Sequence, residues 1–269
     1  MTAAAVADPE LIGLPGHAGP RIAHFHLGAA ALTPDVKVDV THERDSSIAA
    51  ILPFCNCYDS FVIPAIVLAA GKSTRMGRPK ATLPLDPNRA AAESRETFLT
   101  RVVRTFLDAG IDDVVVVVGH EAAAVVGDFA GSGLPARLVE NADYETGQLS
   151  SLLAGLRVVD RPGVVATLVT LVDVPLVSAA TVRAVVDRYR QTHALVVRPT
   201  RGVQHGHPLL IDRALFDLLR QANPTTGAKP VVRAHSTRDG DIEIDDTGAF
   251  TDIDTPADYE ELVQGLRRS

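Results

Sequence analysis

The stretch that decides the fold is "AIVLAAGKSTRMGRPK", which runs from Ala65 to Lys80. Its first half is apolar or small, which is typical of a parallel strand that is covered on both faces of a sheet. Gly71 then opens a loop that contains four basic side chains: Lys72, Arg75, Arg78 and Lys80. Because so much positive charge in one loop needs a counter-charge, the stretch predicts an anion-binding loop directly after a buried strand.

The composition indicates that this anion is small. The chain has 269 residues, of which 46% are hydrophobic and 22% charged, and its net charge is −7. An acidic protein does not attract nucleic acid or an anionic membrane, so the basic loop is a local feature. The sequence has no apolar run of membrane-spanning length and does not begin like a signal peptide. We therefore expect a cytoplasmic protein.

The first 60 residues differ from the rest of the chain. They are rich in Ala, Pro, Gly and His and show no sustained period, which predicts a weakly ordered N-terminal arm over 1–60 and a single domain over 61–269. Two alternatives stay open: a natural start near Val62, or a metal site. The arm contains five side chains of metal-binding type whose spacing matches no zinc pattern: His24, His26, His42, Cys55 and Cys57. The two cysteines are too close together to suggest a disulfide.

Strand and helix patterns alternate after residue 61. Apolar runs predict strands over 63–69, 112–120, 136–140, 164–175, 193–199 and 207–212. Amphipathic patterns predict helices over 97–110, 121–129, 148–159, 178–192, 213–222 and 254–268. Such alternation predicts an α/β fold with an open, mainly parallel sheet, in which ligands bind beyond the carboxyl ends of the strands.

The glycine loop is not one of the two commonest phosphate loops. Five residues separate Gly71 from Gly77, which excludes a Walker A motif, and no G-x-G-x-x-G pattern follows the first strand. The pattern that remains is L-A-A-G-x-S-x-R-M-G-x-x-K. Gly71 is expected to permit a tight turn, while Arg75 and Lys80 are suited to hold phosphate oxygens. The alternative is a solvated basic turn.

The segment "LAAGKSTRMGRPK" resembles the signature loop of the MobA-like NTP transferase family, which includes molybdenum cofactor cytidylyl- and guanylyltransferases. The resemblance covers about residues 63–265. It implies a three-layer α/β/α sandwich, the Rossmann-like fold of nucleotide-diphospho-sugar transferases. It also implies a Mg²⁺-dependent nucleotidyltransferase in which Arg75, Lys80 and Asp173 are catalytic. The nucleotide-binding residues would be Leu68, Ala69, Ala70, Gly71, Ser73, Arg75, Lys80, Asn141, Gly147 and Ser150. In the segment that holds the last two, Gln148 is also suited to contact a base or ribose; the alternative is a polar loop with an ordinary helix cap.

Two carboxylates are candidates for the metal. Asp173 ends a long apolar strand, where a carboxylate packs badly but lies at the active edge; its alternative role is a turn before Pro175. In "TDIDTPADY", Asp252 and Asp254 share one face of an extended segment. Asp254 is the second predicted ligand, in line with the resemblance, with Asp252 in support. Its alternative role is the entry to a helix that Thr255 caps.

The segment "QHGHPLL" resembles the acceptor side of the family and places His205, Gly206 and His207 there. The alternative is a Gly–Pro turn with surface histidines. Val172, Thr225 and Lys229 depart from the pattern of relatives that use a molybdopterin acceptor. The acceptor therefore stays open between a molybdopterin-type cofactor, with CTP or GTP as donor, and a sugar or polyol phosphate. A non-catalytic nucleotide-binding regulator is the third interpretation.

Overall fold

A computed structural model describes residues 61–87 and 96–267. The predicted arm over 1–60, its alternative metal ligands and its two cysteines lie outside these residues. Eight strands are described: β1 Ala65–Ala69, β2 Val114–Val118, β3 Arg137–Glu140, β4 Ala166–Leu171, β5 Val196–Arg201, β6 Gln204–His205, β7 Leu209–Asp212 and β8 Asp241–Glu243. Seven α-helices accompany them: α1 Phe98–Asp108, α2 Ala122–Ala130, α3 Gln148–Val159, α4 Ala179–Thr192, α5 Phe216–Arg220, α6 Lys229–His235 and α7 Pro256–Leu266.

The strands form one mixed sheet with the order β3-β2-β1-β4-β7-β5-β6, and β8 pairs with β5. The half formed by β3, β2, β1 and β4 is parallel throughout. β7 runs antiparallel to both β4 and β5, and a short hairpin joins β5 to β6. The predicted mainly parallel sheet is thus confirmed for the half that contains the glycine loop, while the other half is mostly antiparallel.

Side chains of β1 alternate between two hydrophobic cores. Ala65, Val67 and Ala69 belong to the core that includes α1 and α4, whereas Ile66 and Leu68 belong to the core that includes α3 and α5. All five residues are buried, as expected for a strand with helices on both faces. The predicted three-layer α/β/α sandwich is confirmed. No described helix is long and apolar enough to cross a membrane.

Long periodic segments match their predictions, and short ones do not. The predicted helix over 148–159 is observed with the same bounds, and Ser178 caps α4 through a hydrogen bond from the backbone N–H of Thr181. The helix predicted over 213–222 is instead a 3₁₀ turn, Arg213–Leu215, followed by the short α5. β6, β8 and α6 were not predicted, because elements of two to seven residues carry too little periodicity.

Candidate functional site

The carboxyl ends of β1 and β4 border an open cavity of about 240 Å³. The glycine loop after β1 and the N-terminus of α3 complete its walls, because parallel strands bring their following loops to one edge of the sheet. Eight of the predicted site residues line it: Leu68, Ala69, Ala70, Gly71, Ser73, Lys80, Gly147 and Asp173. Gln148, which was expected to contact a base or ribose, also lines it. Five lining residues were not predicted as site residues: Ala81, Tyr144, Ser151, Leu171 and Val172.

Lys80 connects the cavity to both predicted metal carboxylates. Its Nζ donates to Asp173 Oδ2 at 2.9 Å and to Asp254 Oδ1 at 2.5 Å. The two accepting oxygens are therefore no farther apart than the sum of these distances, although 81 positions separate the residues in sequence. The side chain of Lys80 is 11% exposed and that of Asp173 is 20% exposed. Burial favours the neutral amine, but the hydrogen bonds to Asp254 and Asp173 outweigh it and raise the pKa of Lys80.

A backbone hydrogen bond explains how the two carboxylates meet. The N–H of Ile253 donates to the carbonyl of Asp173 at 2.9 Å, and the Ile253 side chain is buried. Asp254 on the other face is thereby directed to Lys80. The chain then enters α7 through the predicted capping box, in which Thr255 and Asp258 exchange hydrogen bonds and Pro256 is the first helical residue. Asp254 is thus both part of the helix entry and a member of the charged cluster.

The cluster has an excess of negative charge. Burial raises the pKa of Asp252, and the negative charge of the nearby Asp173 raises it further. Oδ1 of Asp173 is buried and has no hydrogen-bond partner among the described residues. An unpaired carboxylate oxygen is an acceptor that a hard cation would satisfy, and Mg²⁺ commonly takes one or two carboxylates with phosphate oxygens and water. Within the described ranges there is no group of three or more acidic, His or Cys side chains arranged to hold a metal alone. The residues present fit an ion that shares its coordination with phosphate.

The glycine loop is held by its own polar groups. The Lys80 N–H donates to Ser73 Oγ at 3.1 Å, and Ser73 itself adopts a left-handed backbone with φ 48°. Gly71, by contrast, does not have a positive φ, and a methyl group there would meet no described atom within 4 Å. Gly71 is therefore not required by a left-handed backbone, and its role in a tight turn stays a prediction. Gly71 is exposed and lines the cavity.

Arg75 lies at the edge of the cluster. Its side chain is 69% exposed, and one guanidinium nitrogen is 3.6 Å from Asp254 Oδ2. It is not among the residues that line the cavity. An exposed guanidinium whose contact with its carboxylate is this long remains available to the outer phosphates of a ligand.

Two predicted nucleotide contacts are used inside the protein. The Asn141 amide donates to Ser150 Oγ at 2.8 Å and to Ser151 Oγ at 3.0 Å, and its oxygen accepts from the N–H of Asp143. Ser150 Oγ in turn donates to backbone carbonyls of Asp143 and Gly147. These bonds fix the loop between β3 and α3. In this structure Asn141 and Ser150 shape the cavity rather than line it, and their direct contact with a nucleotide stays a prediction.

The three predicted acceptor residues differ in burial and in the contacts they make. A methyl group at Gly206 would lie 2.5 Å from the carbonyl oxygen of Ala249 and 2.8 Å from the Phe250 ring. Gly206 is therefore needed because the chain packs against itself on the side where a side chain would project, and its place on the acceptor side stays a prediction. His205 is exposed, whereas Nδ1 of His207 is buried without a partner among the described residues. Burial lowers the pKa of His207, although the nearby Asp252 opposes this effect.

Tyr144 lines the cavity but was not predicted to do so, although its position in the sequence could have indicated it. The chain has only four tyrosines, and this one follows a predicted strand within a polar loop. Aromatic side chains at strand ends are good candidates for ligand contact, because loops rarely bury them. In the structure Tyr144 is half-buried against the core on the α3 face of the sheet.

The family of the chain follows from comparison with known proteins. The model for the MobA-like NTP transferase domain matches residues 65–239. The chain therefore belongs to the MobA-like NTP transferase family, and the resemblance inferred from the glycine loop is confirmed. The matched range includes the glycine loop, Asp173 and the His205–His207 segment, but ends before Asp254.

Relatives and solved structures support the same assignment. The chain is 32% identical over 241 residues to the bifunctional IPC transferase and DIPP synthase of Rubrobacter xylanophilus, covering 77% of this chain but only 53% of that protein. It is 34% identical over 150 residues to a probable molybdenum cofactor guanylyltransferase of Mycolicibacterium paratuberculosis, covering 55% and 68%. Rv0371c of Mycobacterium tuberculosis is 32% identical with a TM-score of 0.58, covering 76% and 98%. The structure of the Rv0371c complex with manganese is also similar, at 28% identity, a TM-score of 0.58 and the same coverage.

Proposed function

We propose that the protein is a Mg²⁺-dependent nucleotidyltransferase that transfers a nucleoside monophosphate from CTP or GTP to a phosphorylated acceptor and releases pyrophosphate. The observation that carries this proposal is the Lys80 ammonium held between Asp173 and Asp254 beside the cavity of the glycine loop. The family assignment supports the reaction class.

The chemistry requires neutralisation of developing charge. A phosphate oxygen of the acceptor forms a bond to the α-phosphorus, and the bond between that phosphorus and the bridging oxygen breaks, so that pyrophosphate leaves with the electron pair. An ammonium group has three donors, and the carboxylates use two of those of Lys80. The third is free to donate to a phosphate oxygen. Arg75 would hold the outer phosphates as an exposed fork.

Asp173 and Asp254 would hold the divalent ion. When bound, Mg²⁺ supplies positive charge at the phosphate oxygens, where negative charge accumulates in the transition state. The unpaired, buried Asp173 Oδ1 supports this role, as does the manganese complex of the similar protein Rv0371c. A protein that only senses nucleotide would not need both carboxylates, which argues against the non-catalytic interpretation.

Two acceptor classes are supported by different observations. A relative named as a molybdenum cofactor guanylyltransferase supports a molybdopterin-type acceptor. The departures at Val172, Thr225 and Lys229 favour the second class, a sugar or polyol phosphate. The relative that is similar over 241 residues is named a bifunctional IPC transferase and DIPP synthase, a name that does not refer to molybdopterin.

Pyrophosphate release tests both the reaction and the acceptor. Each of the four nucleoside triphosphates is incubated with Mg²⁺ and one of three acceptors: a molybdopterin-type cofactor, a sugar phosphate or a polyol phosphate. We expect release with CTP or GTP that depends on one acceptor and is lost when a chelator removes the ion. Triphosphate binding without turnover on any acceptor would support the regulator instead. Asp173→Asn is the matched inactive control.

We further propose that residues 61–269 form the catalytic domain, that residues 1–60 are a dispensable arm, and that the enzyme acts in the cytoplasm, where nucleoside triphosphates are available. A chain that begins at Phe61 is expected to turn over at the rate of the full chain, because the arm carries no pattern that would add an element to the sheet. Loss of folding or of activity in this shortened chain would contradict the domain assignment.

A further inference from the structure

His207 is a histidine beside the charged cluster that the proposed reaction does not use. It lies two residues before β7, which runs antiparallel to β4. Because the two strands run in opposite directions, the beginning of β7 lies at the same edge of the sheet as the carboxyl end of β4. The chain before β7 therefore reaches the strand end that is followed by Asp173.

The backbone of His207 helps to hold the segment that contains the second predicted metal carboxylate. The N–H of His207 donates to the carbonyl of Ala249 at 2.8 Å. Four residues further along that segment, the N–H of Ile253 donates to the carbonyl of Asp173 at 2.9 Å. The segment 249–254 is thus fixed at one end by the residue before β7 and near its other end by the residue after β4.

The ring of His207 lies near two carboxylates of the cluster. Burial lowers the pKa of His207, while the negative charges of Asp252 and Asp173 act in the opposite direction. Burial and the charge of Asp173 raise the pKa of Asp252, and His207 acts against them. In the sheet, β1 and β7 lie on opposite sides of β4. Lys80 follows β1 and His207 precedes β7, so the two side chains flank Asp173.

Two buried atoms of the cluster have no hydrogen-bond partner among the described residues: Nδ1 of His207 and Oδ1 of Asp173. Buried polar atoms without a partner are rare, and two of them at one place indicate a shared partner. A water molecule both donates and accepts hydrogen bonds, and a carboxylate oxygen has two lone pairs. One water can therefore join His207 to Asp173 while Oδ1 keeps a lone pair for a cation.

We infer that His207 is a positioning residue whose Nδ1, through a water, holds the Asp173 carboxylate in the orientation that the divalent ion requires. The inference rests on the proposed function, because it takes Asp173 to be a ligand of the ion. Hydrogen-bond partners of a metal ligand fix its orientation, and their removal typically costs about 10–100-fold in metal affinity or activity. This role differs from the acceptor contact that the sequence predicts for His207.

Binding of Mn²⁺ in the absence of acceptor tests the inference without turnover. The dissociation constant is measured from the paramagnetic signal of the free ion, for the protein alone and with CTP or GTP. His207→Leu is expected to weaken binding by about 10–100-fold. His207→Asn should stay within about threefold of wild type, because its amide lies near the position of Nδ1 and can donate or accept. His207→Gln places its amide near Nε2 instead and should resemble His207→Leu.

Two controls show whether the effect acts through Asp173. His205→Leu makes the same change at the exposed neighbouring histidine and should leave the Mn²⁺ dissociation constant within twofold of wild type. In the Asp173→Asn background, His207→Leu should cause no further weakening, as expected for two residues that act as a unit. Equal weakening in both backgrounds, or a weakening by His207→Asn as large as that by His207→Leu, would overturn the inference. Urea unfolding confirms that each variant is folded.

Steady-state rates separate this role from contact with the acceptor. His207→Leu should lower kcat by about 10–100-fold and leave the KM of the acceptor within twofold of wild type. A raised acceptor KM with unchanged Mn²⁺ binding would assign His207 to the acceptor and overturn the inference.

The inference and the proposed function fail by different results. If the wild-type protein turns over an acceptor and His207→Leu binds Mn²⁺ as wild type does, the inference alone fails. If His207→Leu weakens Mn²⁺ binding but the wild-type protein turns over no acceptor, the proposed function fails and the role of His207 at the ion is sustained. Absence of Mn²⁺ binding by the wild-type protein, alone and with CTP or GTP, would overturn both.

Discussion

The two halves of the sheet use similar sequence features in opposite ways. In the parallel half, the glycine loop after β1 leaves open space beside Gly71, and the polar residues at the strand ends meet around one ammonium group. In the antiparallel half, the glycine of the His-Gly-His segment is enclosed by Ala249 and Phe250 of the same chain. A glycine in a motif can therefore make room for a ligand or for the protein itself. Only the packing around it tells the two apart.

The largest expected effect concerns the two carboxylates that join the halves. Asp173→Asn and Asp254→Asn should each fold normally and lose nearly all turnover, by roughly 10³ or more, because charge stabilisation at the phosphates depends on one ion. The double variant should be little worse than either single variant, as expected for groups that act as a unit. Steady-state pyrophosphate release measures this, and full additivity would contradict a shared site. Asp245→Asn, at an exposed position away from the cluster, is the control.

The next largest losses of turnover are expected for Ala variants of the basic residues in the glycine loop, and the loss should be greatest for the most buried of them. Lys80→Ala is expected to reduce turnover by roughly 10²–10³, the usual scale for removal of one prepositioned donor. It also leaves Asp173 and Asp254 without their shared partner. Arg75 is more exposed, so Arg75→Ala should reduce turnover less than Lys80→Ala does. Arg78→Ala should keep turnover within about twofold of wild type. Equal rates for all three variants would mean that the loop is only a basic turn.

The contrast between the two glycines can be tested directly. Gly206→Ala should lower the free energy of unfolding by about 1–3 kcal/mol, because its methyl group has no space. Gly71→Ala should leave that free energy unchanged, because a methyl group there would meet no described atom within 4 Å, and should raise the KM for the triphosphate by about tenfold, because Gly71 lines the cavity. Urea unfolding of both variants measures the free energy of unfolding, and initial rates measure the KM for the triphosphate. If Gly71→Ala lowered the free energy of unfolding and left the KM unchanged, Gly71 would instead be a glycine that the protein's own packing requires.

A pH-dependent effect on stability is expected in the antiparallel half. Asp246 accepts hydrogen bonds from Thr181, from the N–H of Ser178 and from the N–H of Gly248, and so joins α4 to the 3₁₀ turn that encloses Gly206. Burial would raise the pKa of Asp246, but these hydrogen bonds outweigh it and lower the pKa below its ordinary value of 3.8. A lowered pKa in the folded state contributes stability above the unfolded pKa and loses it as the pH falls through the folded pKa.

Asp246→Asn should therefore destabilise the protein by about 1–3 kcal/mol at pH 7, the range for hydrogen bonds to a charged group. The difference from wild type should shrink as the pH falls below the ordinary Asp range. Urea unfolding at pH 7 and near pH 3 measures it. Asp245→Asn, at the exposed neighbouring position, should show a small difference at both pH values. A constant difference for Asp246→Asn would mean that its ionisation contributes nothing.

The sequence by itself determined the parallel half of the fold and indicated the family of the chain. Five consecutive valines, the glycine loop and the helix over 148–159 are local patterns long enough to predict strand, loop and helix. Asp173 could be proposed because it follows a buried strand at the edge of the sheet where ligands bind, and Asp254 because its segment resembles the one that supplies the second metal carboxylate in the family. The Thr255–Asp258 capping box likewise needs only neighbouring residues, and it was predicted correctly.

The tertiary structure alone decided which residues those patterns bring into contact. Lys80 lies between two carboxylates, Gly206 makes room for Phe250, and Gly119 makes room for Tyr144, and each contact joins segments that are distant in sequence. Local propensity and periodicity describe a residue and its near neighbours along the chain. The space beside a glycine and the partner of a charge depend on where other segments pack, and the close packing of the interior is a property of the whole fold.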